Sequence, residues 1–417
     1  MTLPICRHCR APLPQVFLDL GHAPPSNAYL APDRLNAPEL FFPLRLRVCQ
    51  SCWLVQTEDF TEADRLFDAD YAYFSSTSKG WLAHAERYAT QMTARFGLNG
   101  SSHVIEVASN DGYLLKNFVA AGIPCLGIEP TASTAAAARA LGIPVEQEFF
   151  GEVLGQRLAQ EGRAADLIAG NNVYAHVPDI NDFTSGLAAA LKPEGVITLE
   201  FPHLMRLVEF CQFDTVYHEH FSYLSALSVS RIFAAAGLRI FDIEELPTHG
   251  GSLRVFGCHE HASHDETVSA QSVFAEERRR GMDQAEFYAG FQARANEVKD
   301  GLLRFLLNAK SDGKTVAAYG AAAKGNTLLN YAGVKPDLLP FVCDAAPSKQ
   351  GKLLPGSHIP ILPPSALEKD RPDYVLILPW NIADEVKQQL ADLTARGTQF
   401  VTAVGHVRQA GVISRMA

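Results

Sequence analysis

The segment Val104-Ile-Glu-Val-Ala-Ser-Asn-Asp-Gly-Tyr113, followed by Leu126-Gly-Ile-Glu-Pro130, decides the fold. Val104 to Val107 reads as a strand, the small residues after it as a tight turn, and Tyr113 to Ala121 as a helix. A second strand over 124–129 ends in an acid. Ala, Ser and Gly leave room at the turn for a ligand to approach the backbone. Glu129 lies 23 positions after Glu106, where a carboxylate closing the second strand of a doubly wound sheet can accept both hydroxyls of a ribose. A nucleoside-type ligand is therefore expected at the carboxyl edge of a parallel sheet. Its contacts would be Glu106, Ala108, Ser109, Asn110, Asp111, Gly112, Glu129 and Pro130. No Gly-x-Gly-x-x-Gly spacing is present, so a pyrophosphate cradle is not indicated.

The chain has 417 residues and a formal charge of −10. That length suggests two or three domains. The charge argues against a broad nucleic-acid surface, which needs clustered Lys and Arg, but leaves room for a local basic pocket. No 18-residue apolar run occurs and the first residues lack a hydrophobic signal region. A cytoplasmic protein without a membrane partner is expected. Thiols stay reduced there, so paired cysteines suggest metal rather than disulfides. Cys6-x-x-Cys9 and Cys49-x-x-Cys52 form two knuckle-like pairs, separated by 39 residues. Two such pairs complete a closed tetrahedron around zinc, leaving no open position, so this zinc should be structural. His8 and His22 are surplus to that set.

Composition and periodicity divide the chain into three units. Residues 1–60 form the metal module, with a strand over 41–48. Residues 61–262 begin with an acidic, aromatic connector and a helix over 81–96. A strand–helix alternation follows, with strands at 104–108, 124–129, 143–145, 166–170, 195–200 and 238–246 and an edge strand at 251–258. Residues 263–417 open with one charged bridging helix over 265–312. A second, smaller alternation follows: Lys314-Thr-Val-Ala-Ala-Tyr-Gly320, a helix from Ala321, then strands at 339–343, 373–379 and 399–404. The fold class is α/β, with a small metal module before two Rossmann-like units. The second unit lacks an acid placed for a ribose.

Tyr217-His218-Glu219-His220 concentrates two imidazoles, a carboxylate and a phenol in the loop over the ligand edge. His-x-His could hold a metal but lacks a third ligand at regular spacing. Asn171-Asn-Val-Tyr174-Ala-His176 adds another imidazole. Gly320-Ala-Ala-Ala-Lys324-Gly-Asn326 offers free N–H groups and a cation at a helix start, as phosphate requires. Lys349 lies in a second such turn.

The Glu106-to-Gly112 turn resembles motif I of class I S-adenosylmethionine (SAM) methyltransferases. The whole chain resembles the nucleotide-sugar C-methyltransferases. The likeness rests on the four paired cysteines, Ser109–Gly112, Gly170–Val173 with His176, Tyr217–His220 and Gly250-Gly-Ser-Leu-Arg254. It implies a zinc domain, a class I SAM-binding domain and a Rossmann-like C-terminal domain. It also implies methylation of C3 of a 4-keto-6-deoxy sugar carried on dTDP, or on GDP or CDP. His220 would be the base, and His176, Tyr217 and Tyr71 the donors to the enolate, with Glu219 orienting an imidazole or a sugar hydroxyl. Asn171 would lie near the methionine end of SAM. Tyr73, Lys324, Asn326 and Lys349 would bind the substrate. A monomer or weak homo-oligomer would suffice. O- or N-methylation, and a non-catalytic zinc-containing binding protein, are the competing readings. Intact Asn110, Asp111, Glu129 and His220 disfavour the last.

Overall fold

The computed structural model describes residues 3–58 and 74–404. Strands β1 (Gln15–Ala23), β2 (Phe42–Val48) and β3 (Val55–Thr57) form an antiparallel meander beside the two cysteine pairs. The sequence reading missed β1. Its register against β2 shifts twice, between Val16 and Leu18 and between Asp19 and His22. Such bulges break the alternation that would reveal a half-buried strand.

The second sheet is built from β4 (Val104–Val107), β5 (Cys125–Ile128), β6 (Val145–Glu146), β7 (Ala165–Asn171) and β8 (Leu191–Pro202). A short β9 (Ser222–Tyr223) leaves this body and pairs antiparallel with β3 of the metal module. Then β10 (Leu238–Leu246) and β11 (Ser252–His259) complete a seven-stranded sheet of order β10-β11-β8-β7-β4-β5-β6. β11 was expected at the edge. Instead it lies between β10 and β8, antiparallel to both, and β10 is the edge strand. All eight β11 residues but His259 are buried, as suits a central strand, and its one charge, Arg254, is paired with Glu200 and Glu244.

The expected single bridging helix is two helices, Val268–Arg279 and Phe291–Ser311. Gly281 and Gly290, both at φ +79°, bracket the break between them, a left-handed conformation that only glycine adopts freely. Nor is the first helix merely a solvated strut. Its Glu277 is fully buried and accepts from the backbone of Ala226 and Leu227 and from His203. That carboxylate satisfies the free N–H groups starting the helix Ala226–Ala235.

The third sheet is parallel, of order β14-β13-β12-β15-β16. Its strands are β12 (Val316–Tyr319), β13 (Val342–Cys343), β14 (Ile361–Leu362), β15 (Tyr374–Ile377) and β16 (Gln399–Val401). The first crossover helix, Ala323–Ala332, points its start at the middle unit.

Candidate active site

The two cysteine pairs fold as matching knuckles. Arg10 N donates to Cys6 O and Cys6 N to Ala11 O, and Trp53 and Leu54 repeat the pattern around Cys49. Arg10 and Trp53 hold the left-handed backbone that each knuckle needs. The four sulfurs lie within 4.8 Å of one another, with Cys6–Cys52 at 3.6 Å and Cys9–Cys49 at 3.4 Å. Zinc–sulfur bonds of 2.3 Å place tetrahedral sulfurs about 3.8 Å apart, so the residues fit the ion. His8, surplus to the metal, holds Asn181 at 2.7 Å and docks the first knuckle on the middle sheet's helices.

At the carboxyl edge of the middle sheet, the turn after β4 carries left-handed Ala108, Asn110 and Gly112. A Cβ on Gly112 would meet Ile143 at 2.4 Å, so only glycine fits. Glu129 ends β5, with one carboxylate oxygen accepting from Asn110 N at 3.0 Å and the other from Thr131 N at 2.9 Å. Pro130 follows it. Each oxygen keeps a further lone pair for a ligand hydroxyl. Asn110 and Asp111 accept from the backbone of Ser75 and Ser76, tying the turn to the connector. Glu106 is fully buried, and desolvation raises its carboxyl well above the usual range. Among the described residues, Ser109 Oγ and Asp111 Oδ1 are buried without a hydrogen-bond partner, and Glu106 and Asn171 have only the Tyr113 phenol beside them. Such groups cost about 1–3 kcal/mol each when left unsatisfied. Their concentration at one edge fits a polar cofactor.

The loop after β8 brings the proton-transfer groups together. The His220 ring lies 4.0 Å from Tyr217 and 4.5 Å from His176, centroid to centroid. Phe221 N donates to Ala175 O at 2.8 Å and fixes the loop on the His176 turn. Burial keeps His220 well below the ordinary imidazole value, and His176, His249 and Lys324 add to the effect. Burial pushes His176 down to about 4. Both imidazoles are therefore neutral at pH 7. His218 turns the other way, toward Phe42 of β2. Glu219 is 3% exposed, and Asn27 Nδ2 donates to its two oxygens at 3.0 and 2.8 Å.

The third sheet closes the site. Lys324 Nζ donates to Asn381 Oδ1 at 2.6 Å and lies over the Trp380 ring. Burial pushes it down to about 8. Trp380 Nε1 donates to the buried Asp214 at 2.7 Å, and a Cβ on Gly250 would strike the Trp380 ring at 2.3 Å. Asn326 is buried inside its helix, accepting from Asn330, while Lys349 contacts Ala321 O and Asp344. Asp344 occupies in this unit the position that Glu129 occupies in the middle one. It closes the second strand and accepts from Ala321 N and Ala346 N at 2.8 Å each. Glu129 has the same two kinds of partner. Tyr71 and Tyr73 lie outside the described residues. Sequence reasoning missed Asn27, Asp214, His249, Trp380 and Asn381, isolated residues with no spacing signal. The Gly250-Gly251 pair beside His249 was the nearest cue.

Three family models match the chain in order: "Putative zinc binding domain" over residues 6–67, methyltransferase domain over 81–243 and C-methyltransferase C-terminal domain over 247–405. C-methyltransferase NovU of Streptomyces niveus is 33% identical over 391 residues, 94% of this chain and 93% of that protein. Solved structures also match, among them two methyltransferases. Magnesium protoporphyrin IX methyltransferase from Synechocystis with bound SAM has 15% identity and a TM-score of 0.33, over 43% of this chain and 80% of that one. A SAM-dependent methyltransferase from Anabaena variabilis has 18% identity and a TM-score of 0.35, over 43% and 86%. The seven-stranded sheet with its acid-capped cofactor edge is that of a class I methyltransferase. The chain belongs to the C-methyltransferase family that joins a zinc domain, a methyltransferase domain and this C-terminal domain. It is a SAM-dependent enzyme with structural zinc.

Proposed function

We propose that this enzyme methylates C3 of a 4-keto-6-deoxy sugar carried on a nucleoside diphosphate, by way of an enolate. The observation that carries the reading is the neutral His220 imidazole, packed between Tyr217 and His176 where the metal module, the cofactor edge and Lys324 converge. Carbon becomes a nucleophile only after its proton is removed, and a ketone at C4 acidifies C3. A base must be unprotonated at working pH, which burial ensures for His220. The Thr215 carbonyl faces this ring. A carbonyl only accepts, so the facing nitrogen carries the hydrogen and the other keeps the lone pair that takes the C3 proton.

Charge then grows on the C4 oxygen. Tyr217 is a phenol donor, while neutral His176 gives its one N–H to the Glu219 carbonyl and so helps to fix the loop. Tyr71 would add another donor. Each well-placed donor is worth roughly 10²–10³ in rate. Glu219 orients an imidazole or a sugar hydroxyl. SAM supplies an electrophilic methyl group. Asn171 would hold its methionine end and Glu129 its ribose, with Glu106 and Ser109–Gly112 along the cofactor.

The nucleoside diphosphate is assigned to the third unit. Lys324 and Lys349 are its cations, Asn326 supports the turn, and Asp344 meets the nucleoside's sugar. Tyr73 completes the substrate contacts, and dTDP is the favoured carrier. The units 1–60, 61–262 and 263–417 act as metal scaffold, cofactor site and substrate site. With four cysteines grouped for zinc and none of the eight in a disulfide, the cytoplasm is the proposed compartment. Among the described residues no helix is long and apolar enough to cross a membrane. The test is incubation with SAM and a panel of dTDP-, GDP- and CDP-linked 4-keto-6-deoxysugars, read by mass spectrometry. A gain of one methyl placed at C3 supports the reading, and methylation only on oxygen or nitrogen refutes it.

A further inference from the structure

The metal module reaches into the proton-transfer loop through one side chain. We propose that Asn27 is a positioning residue for the reaction, fixing the Glu219 carboxylate and with it the Tyr217–His220 loop. The inference rests on the reading that this loop removes the C3 proton.

Asn27 sits in the turn after Ala23, where Ala28 N donates to Pro25 O at 3.1 Å and Tyr29 N to Asn27 O at 2.9 Å. Both flanks of that turn are clamped. Ser26 Oγ lies 3.4 Å from Thr327 Oγ1, whose hydroxyl donates to Val216 O at 2.8 Å in the loop itself. Leu30 and Leu353 exchange backbone hydrogen bonds at 3.0 and 2.8 Å, and Tyr29 Oη donates to Ala321 O at 2.6 Å. All three units therefore hold the turn that carries Asn27.

The carboxylate it meets has little else to rely on. Glu219 is buried, and desolvation pushes its carboxyl up to about 7 while the Asn27 amide pulls the other way. The titratable groups of the surrounding elements are Tyr217, His218, His220 and Tyr223 on or beside its own loop, His176 on the adjoining turn, Tyr29 on the turn of Asn27, and Lys324 and Lys349 of the third unit. Burial keeps all three imidazoles below their usual range, so they are neutral at pH 7. The neutral amide of Asn27 thus orients a carboxylate poised between its two protonation states. An ionised Glu219 accepts hydrogen bonds only, whereas the protonated acid would also donate and could turn over.

Isotope-edited infrared titration of the full-length protein, with Glu219→Gln as reference, reads this carboxyl without substrate. Asn27→Leu should raise its midpoint by about one unit, as loss of a hydrogen bond to a charged group predicts. Asn27→Asp, which sets one carboxylate against another, should raise it at least as much. The kcat ratio of variant to wild type should climb as pH rises, with SAM affinity unchanged and the melting temperature lowered most above pH 7, where Glu219 is ionised. An unmoved midpoint in both variants overturns the assignment, and so does a kcat loss that is the same at every pH. A raised midpoint in an enzyme inactive on every 4-keto sugar keeps Asn27 in its role and defeats the C3 reading instead.

Discussion

Two histidines two positions apart on one loop meet opposite surroundings. His220 lies among Tyr217, His176 and Tyr223, whereas His218 faces Phe42 of the metal module. The sequence concentrated the chemistry in Tyr217–His220, but only packing shows which imidazole turns inward. The position of Glu129 was legible because an acid closing the second strand stands out in the pattern. Asn27 was not, because its partner lies 192 residues away. Glu129→Ala removes a charge-assisted contact and should weaken SAM binding by about 1.5–3 kcal/mol in calorimetry. It also frees Asn110 N and Thr131 N, so the turn should exchange its amide hydrogens faster. Unchanged affinity would show that Glu129 is not the ribose ligand.

Among elements, strands with strong apolar runs were readable, whereas the bulged β1 and the short β3, β9 and β14 were not. Both β9 and β14 have two residues, too few for any periodicity. The misplacement of β11 has a different cause, since sequence order does not say which strand is central. Its lead-in, Thr248–Gly251, shows how local conformation positions the site. His249 takes left-handed backbone at φ +53° and contacts Asn172 at 3.1 Å, while Gly250 lets Trp380 approach. Gly250→Ala faces both a φ of +88° and that ring. It should lower stability by roughly 1–3 kcal/mol in denaturant titration. By displacing Trp380 from Lys324 it should also raise KM for the nucleotide sugar.

On the scale of the whole molecule, the catalytic loop is shared property. It leaves the middle sheet, and its strand β9 joins the metal module, where Gln56 of β3 donates to Cys6 Sγ at 3.2 Å. Zinc held by those cysteines would therefore support the loop through β3 and β9. Cys49→Ser should lower zinc content by elemental analysis, lower the melting temperature and reduce kcat, since structural zinc contributes folding free energy. A metal-free protein of full stability and activity would contradict this. Burial also makes the molecule acid-sensitive. His176 and His249 are pushed down to about 4 from 6.5, so between those values the unfolded chain binds protons that the folded protein excludes. Stability present above pH 6.5 is thus lost as pH falls toward 4, by up to about 1.4 kcal/mol per histidine per unit. Melting curves across that range should show a steeper decline in wild type than in a His249→Gln variant.

The three-unit order was visible from the cysteines, the SAM turn and the second glycine turn. Their convergence on one loop was not, because long-range packing leaves no local pattern. On the proposed reading that convergence makes His220 the base, and exchange at C3 isolates the step. With S-adenosylhomocysteine in place of SAM, wild-type enzyme in deuterated water should incorporate deuterium at C3 of the 4-keto sugar. His220→Asn should slow that incorporation by roughly 10²–10⁴ while leaving SAM affinity nearly intact, and His218→Asn should not. Exchange at the wild-type rate in His220→Asn, with loss in His218→Asn or His176→Asn, would contradict the account.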